Sequence, residues 1–392
     1  MVGRRDSAGF TLPELLIATA VSVIALGLAA SLLRPAAAAF HSLPEAVDAQ
    51  QRLRIAVQAI AEDIAGAGSG PSLGWSARAA PAWPAVLPCR WAHQPLATLP
   101  GGCARDDAMT VLAVPIAGPQ VITAENVEAA ESPIRVAALS ACSLSHGACR
   151  MHAGSPMLLA DGTGAWDVVA LSAVSADGTL LEHAGAPLSW RYREGAIAAE
   201  VETSAYSLRF DAASDAPQLR RSLNGSADMP LVDHVTALRF EYFGAADPPE
   251  VVDDADPARR RTSYGLLPPP DGVDNALDAW DPGENCLFSR GGGLPSSRLA
   301  PLPVDTAGLA RLPVTMFGDG PWCPDGASPN RFDGDLLRVK LVRVVLRVEA
   351  QSLAVRGVDP EWFSRRGAAR DALRLVPDLE VRVDVALRNV GR

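Results

Sequence analysis

Met1-Val2-Gly3-Arg4-Arg5-Asp6-Ser7-Ala8-Gly9-Phe10-Thr11-Leu12-Pro13-Glu14-Leu15-Leu16 opens the chain, and the apolar run begun at Phe10 continues to Leu33. The order of these parts decides the fold. A secretory signal carries basic residues first, then its apolar stretch, then the small residues at which it is cut. Here the small residue, Gly9, comes before the apolar stretch. Cleavage after it removes only Met1 to Gly9 and leaves the apolar stretch as the start of the mature chain. Residues 10 to 33 hold a single charge, Glu14, and about 20 apolar residues suffice to cross the hydrocarbon core of a bilayer. The segment is long enough to span a membrane. Arg4 and Arg5 on its amino side favour a cytoplasmic amino end, which sends the rest of the chain across to the other side. A carboxylate inside a bilayer costs a few kcal/mol and is usually kept for a partner, so Glu14 is a candidate functional residue. Pro13 fits a helix start, because a first-turn proline lacks only an N–H that has no helical partner.

Gly9-Phe10-Thr11-Leu12, with Glu14 as the fifth residue after the cut, resembles the class III leader of type IV pilins and type II secretion pseudopilins. The resemblance implies cleavage after Gly9 by prepilin peptidase, methylation of the new amino terminus at Phe10, and pairing of Glu14 with the amino terminus of a neighbouring subunit during filament assembly. A plain single-pass anchor is the alternative, and it leaves Gly9-Phe10 unexplained. Gln51-Arg52-Leu53-Arg54, continuing through Glu62-Asp63-Ile64-Ala65-Gly66-Ala67-Gly68, is similar to the end of the long helix in PilW-type minor pilins. Residues 219 to 243 resemble PilW- and GspJ-type proteins, and the ending Leu387-Arg388-Asn389 resembles PilW-type proteins. The implied fold is α+β and pilin-like, with a long amino-terminal transmembrane and amphipathic helix packed on a carboxy-terminal antiparallel sheet domain.

Along the chain this gives a leader at 1–9, a transmembrane helix at 10–33 and its amphipathic continuation at 34–68. In the continuation Leu53, Val57, Ile60 and Ile64 recur on one helical face, Gly66 and Gly68 supply the stop, and Pro35 and Pro44 predict a break or kink. A β-rich body follows at 69–243. Its expected strands are 109–115, 134–139, 157–160, 166–174, 188–192, 206–210, 218–222 and 231–243, with turns at Asp161-Gly162 and Asp177-Gly178. Asn224-Gly225-Ser226 fits a glycosylation sequon and, better, a turn. A loop-rich insertion fills 244–335, and alternating strands at 337–350 and 380–389 close the domain at 336–392.

The chain has 392 residues, 48% of them hydrophobic and 20% charged, which marks a globular rather than a disordered protein. Its net charge of −10 gives no clear nucleic-acid signal, because a grip on phosphates needs clustered basic charge. Cys89, Cys103, Cys142, Cys149, Cys286 and Cys323 all follow the anchor. An even count in an exported body points to disulfides, and nearest-neighbour pairing joins Cys89 with Cys103, Cys142 with Cys149 and Cys286 with Cys323, although six cysteines allow 15 pairings. Zinc is the weaker reading, since no C-x-x-C pair occurs. Trp75, Trp83 and Trp91, spaced by eight, suggest a carbohydrate-binding aromatic face, but the better reading is a disulfide-stapled loop whose tryptophans cover the helix. Asp271, Asp274, Asn275, Asp278, Asp281 and Glu284 carry the hard oxygen ligands that calcium takes, although their order is not that of an EF-hand. The plainer reading is an exposed acidic turn pinned by Cys286 and Cys323. No cofactor is expected beyond this candidate structural calcium.

Neither G-x-S-x-G, H-E-x-x-H, a P-loop nor G-x-G-x-x-G occurs, and the six histidines show no nucleophile–base spacing. The expectation is therefore a structural, non-catalytic minor pilin of a type IV pilus, acting in initiation, priming or at the tip. A type II secretion minor pseudopilin and a tip-displayed adhesin or DNA-uptake module are the rival readings. Expected partners are other minor and major pilins or pseudopilins, prepilin peptidase, the inner-membrane assembly platform and the membrane itself. The expected location is the inner membrane, with the globular body in the periplasm, and then the pilus or pseudopilus.

Overall fold

Leu12–Gly66 form one 55-residue helix, α1, that runs through both Pro35 and Pro44 without interruption. The expected break is absent. Each proline removes one helical N–H, and the carbonyls thereby freed, on Ser31 and Phe40, belong to exposed residues. The computed structural model describes residues 10–70, 83–91, 103–115, 118–128, 133–138, 151–161, 166–184, 187–188, 191–247, 299, 301–320, 322–323, 332–370 and 372–389. Its strands, in chain order, are β1 (Val86–Leu87), β2 (Ala108–Ala113), β3 (Gln120–Thr123), β4 (Ile134–Ala138), β5 (Pro156–Ala160), β6 (Trp166–Val174), β7 (Leu180–Ala184), β8 (Ile197–Glu200), β9 (Glu202–Asp211), β10 (Ala216–Leu223), β11 (Met229–Asp233), β12 (Val235–Gly244), β13 (Ala310–Leu312), β14 (Trp322–Cys323), β15 (Phe332–Asp333), β16 (Val339–Val348) and β17 (Leu379–Ala386). One long apolar amino-terminal helix and a mostly antiparallel β body make the fold α+β. The chain divides into two compact units, Met1–Arg52 with Val348–Leu379, and Leu53–Arg347 with Glu380–Arg392.

In the first unit every described side chain from Phe10 to Ala37 is exposed. Cover begins at Ala38, and the buried or half-buried positions Ala38, Ser42, Glu45, Ala46 and Ala49 recur at helical spacing on one face. Ala46 packs on Ala350, Val355 and Val376. The Glu45 carboxylate accepts the backbone N–H groups of Gln351 at 2.9 Å and Ser352 at 3.3 Å. Behind them Glu349, fully buried, accepts from Arg356 Nη1 at 2.7 Å and from Arg365 Nε at 2.9 Å.

In the second unit the carboxy-terminal part of α1 lies on a five-stranded sheet of order β1-β2-β9-β10-β11, paired antiparallel throughout. Ala56, Ile60 and Ile64 are fully buried, while Leu53 and Val57 flank them half-buried. The helix ends as expected, with Gly68 in the left-handed region at φ 72° and its N–H bound to the Leu112 carbonyl at 2.9 Å. One polar cluster fixes the helix on the sheet. Tyr206 of β9 donates its hydroxyl to Asp63 at 2.6 Å, and Arg221 of β10 donates Nη2 to the same carboxylate at 2.9 Å.

β2 and β9 are paired neighbours, yet the chain between them closes a six-stranded barrel of order β3-β4-β7-β6-β5-β8. The sequence reading, which ran 69–243 as one body, did not separate this barrel. Its interior is filled with side chains, among them Met157, Leu159, Val169, Leu171 and Tyr192. Tyr192 keeps its buried hydroxyl satisfied on Asp167 at 2.8 Å. The strand expected over 231–243 is instead two. His234, at φ 59°, ends β11 and turns the chain into β12, which belongs to a second sheet of order β13-β12-β16-β17. Asn224 and Gly225, at φ 48° and 65°, form the expected turn, closed by Ser226 N–H on the Leu223 carbonyl at 2.9 Å.

A buried acid in this unit makes its stability pH-dependent. Asp333 accepts the N–H groups of Gly320 at 2.7 Å and Asp335 at 2.9 Å. Burial nonetheless pushes its carboxyl up to about 7, with the Asp335 and Asp319 charges adding to the rise. A carboxyl raised above its unfolded value contributes stability that is fully present below about pH 4 and is lost as the pH climbs through about 7. Thermal melts between pH 5 and 8 are therefore expected to fall across that window by a few kcal/mol of stability, and Asp333→Asn to flatten the fall. An unchanged pH profile in the variant would assign the dependence to another group.

Candidate functional site

The residues singled out by the sequence fall into three places, and among the described residues the first has the clearest chemistry. Gly9 lies outside the described residues, and Phe10 is 86% exposed at the head of α1. Glu14 sits in the first helical turn and folds its carboxylate back: Oε2 accepts the Thr11 N–H at 2.9 Å and the Thr11 hydroxyl at 2.8 Å. Threonine just before a helix and glutamate three residues on form a capping box, in which the glutamate satisfies an N–H that the helix cannot. The pattern Thr11-Leu12-Pro13-Glu14 carried that signal, and the sequence reading, occupied with the charge, passed over it. Both described bonds end on Oε2, leaving Oε1 directed to no described residue.

Beyond this turn the helix has the properties of a lipid-facing segment. Its most apolar 18-residue window has a mean hydropathy of 2.4 and none of that window is buried against the protein. In hydrocarbon every polar group must be satisfied within the helix. Two of the hydroxyls here comply: Thr19 donates to the Leu15 and Leu16 carbonyls, each at 2.9 Å, and Ser31 to the Leu28 carbonyl at 2.7 Å. Glu14 is then the one group in the segment whose charge no protein cation offsets within the described chain.

The second place is the cysteine pair next to β2. Cys89, buried, and Cys103 are free cysteines within hydrogen-bonding reach of each other. That contact and burial push the Cys89 thiol up, while the same contact lowers Cys103. Arg105 N–H on the Pro88 carbonyl at 2.7 Å and Thr110 Oγ1 on the Cys89 carbonyl at 2.7 Å hold the two segments together. Cys142, Cys149 and Cys286 lie outside the described residues, as does the side chain of Cys323. Trp83 and Trp91 are each only 4% exposed, so neither offers its ring to a ligand in solvent; Trp75 lies outside the described residues. The third place, Asp271, Asp274, Asn275, Asp278, Asp281 and Glu284, lies wholly outside them too. Among the described residues no group of three His, Cys, Asp or Glu side chains could hold a metal ion.

A prokaryotic N-terminal methylation motif matches residues 4–30, which takes in most of the leader, the Gly9–Phe10 junction, Glu14 and the greater part of the apolar run. No curated protein and no solved structure matches the chain.

Proposed function

From that motif, which supports a type IV pilin or pseudopilin with a prepilin-type leader and, together with α1, a membrane-anchored one, we propose that the chain is a minor pilin. In this reading it is structural rather than catalytic and takes part in the initiation, priming or tip complex of a type IV pilus. The observation that carries the reading is the junction itself, a glycine followed by phenylalanine and, four residues on, the only charge of an otherwise apolar span. A helix continuous from Leu12 to Gly66 supports it, because the reading expects one long amino-terminal helix. Arg4 and Arg5 before the apolar run support a periplasmic body, since basic residues favour the cytoplasmic side. The body is also large for a repeating shaft unit. A six-stranded barrel inserted between two paired strands adds bulk that a lattice of identical subunits would have to accommodate, which favours a rare position at the end of a filament.

The amino-terminal mass of the extracted protein tests the class. Cells with prepilin peptidase are expected to yield a chain starting at methylated Phe10, and both loss of the peptidase and Gly9→Val to leave Met1 to Gly9 in place. A start after the apolar run, or an unchanged Met1 start in all three samples, would end the pilin reading.

A further inference from the structure

Cys89 and Cys103 meet at one end of a two-strand ribbon. β1 pairs antiparallel with β2, Val86 opposite Val111 and Leu87 opposite Thr110. The ribbon continues past β1, because Arg105 N–H donates to the Pro88 carbonyl at 2.7 Å. Cys89 follows Pro88 directly and Cys103 precedes Arg105 by two residues, so this bond brings both cysteines to the same end. Cys89 is held a second time: Thr110 donates Oγ1 to its carbonyl at 2.7 Å and accepts the Trp91 N–H at 2.9 Å. The backbone beside each thiol is thereby fixed before any bond forms between the sulfurs. The thiols themselves differ. Cys89 is buried and Cys103 half-buried, and their contact favours the thiolate at Cys103 while contact and burial disfavour it at Cys89. The sequence leaves the pairing of the six cysteines open, whereas the fold puts these two in reach of each other.

We propose that Cys89 and Cys103 are joined as a disulfide in the exported protein, by exchange with the disulfide of a thiol oxidant that Cys103 attacks first. The Cys103 thiolate, its proton given to solvent, attacks one sulfur of the oxidant's disulfide. That S–S bond breaks and the oxidant's other sulfur leaves as a thiolate. Cys89 then loses its proton as its sulfur attacks Cys103 in the mixed disulfide. The Cys89–Cys103 bond forms and the oxidant's remaining sulfur is released. The pair has lost two electrons and two protons, and the oxidant, once protonated, is left with both its sulfurs as thiols. Metal binding is the other use of a close cysteine pair, but among the described residues no group of three His, Cys, Asp or Glu side chains could hold an ion. The proposal rests on the reading that places the body in the periplasm, because disulfides form and persist in oxidising compartments.

The test quenches cells with acid, alkylates free thiols with N-ethylmaleimide and digests the full chain with trypsin without reduction. Cleavage at Arg78, Arg90 and Arg105 puts Cys89 in peptide 79–90 and Cys103 in peptide 91–105. The two peptides are expected as one linked species, lighter than their sum by the pair of thiol hydrogens, and reduction is expected to separate them. With Cys89→Ser, oxidised glutathione added to the extracted protein is expected to leave glutathione on peptide 91–105. With Cys103→Ser, peptide 79–90 is expected to stay unmodified. Equal trapping in the two variants would overturn the order of attack. Either peptide linked instead to one holding Cys142, Cys149, Cys286 or Cys323 would overturn the pairing. Alkylated, unlinked peptides from cells whose spheroplasts expose the body to added trypsin would overturn the disulfide and leave export standing. The same peptides from a body that trypsin cannot reach would overturn export and the disulfide with it.

Discussion

Glu14→Ala is expected to be inserted and processed normally yet to fall more than about tenfold in the sheared filament fraction, and Glu14→Gln to fall as far. The two variants separate two roles that the structure superimposes on one side chain. As a capping residue Glu14 holds the Thr11 N–H and hydroxyl through Oε2, a contribution of roughly 0.5–2 kcal/mol that alanine loses. Glutamine completes a capping box as well as glutamate does, so Glu14→Gln preserves the helix start. What the amide cannot supply is charge. A carboxylate held in the bilayer costs about 2.5–3.5 kcal/mol, and only a cation from elsewhere offsets that cost. The amino terminus of an adjacent subunit, the partner implied by the class, is such a cation, and about 1.4 kcal/mol of lost pairing already gives a tenfold loss of incorporation. Both variants should also sit more readily in the membrane fraction. Filaments that contain Glu14→Gln at wild-type level while excluding Glu14→Ala would reduce Glu14 to a helix cap.

The leader was legible because its information is linear: Gly9, Phe10 and Glu14 mean something by their order, whatever the rest of the chain does. The core of the five-stranded sheet was legible in part: the helix stripe was visible at Ile60 and Ile64, and Tyr206 and Leu219 are buried, but the strand alternation read through Phe210 fails, since Phe210 is 56% exposed. The barrel was not. Closing it pairs β3 with β8 and β5 with β8 across long stretches of chain, and β8, Ile197-Ala198-Ala199-Glu200, carries too little β-branched or alternating character to announce a strand. His234 hid for a different reason, because residues 231–243 alternate acceptably on both sides of it and only its left-handed φ reveals the corner. At Glu349 the sequence pointed the wrong way. A carboxylate ending an alternating strand reads as a solvated edge residue, and its burial depends on arginines that arrive 7 and 16 residues later.

Glu349→Ala should in turn be among the most damaging single changes to the folded body. The carboxylate is fully buried and Arg356 is 2% exposed, so truncation strands a guanidinium in a site built for an ion pair. Breaking a buried pair from one side costs about 3–5 kcal/mol. Arg365, 30% exposed at its side chain, can turn toward water; Arg356 has no such exit. The cost should appear first as local opening of the 348–379 segment, measured as trypsin cleavage at Arg365 and Arg366 faster by on the order of a hundredfold or more under native conditions. A Glu349→Leu, Arg356→Met double variant is expected to recover most of the loss, because apolar replacement of both partners removes the desolvation cost along with the attraction. Recovered trypsin resistance in the double variant would show that the ion pair serves the shape of the segment, and no recovery would mean that the charges themselves are needed there.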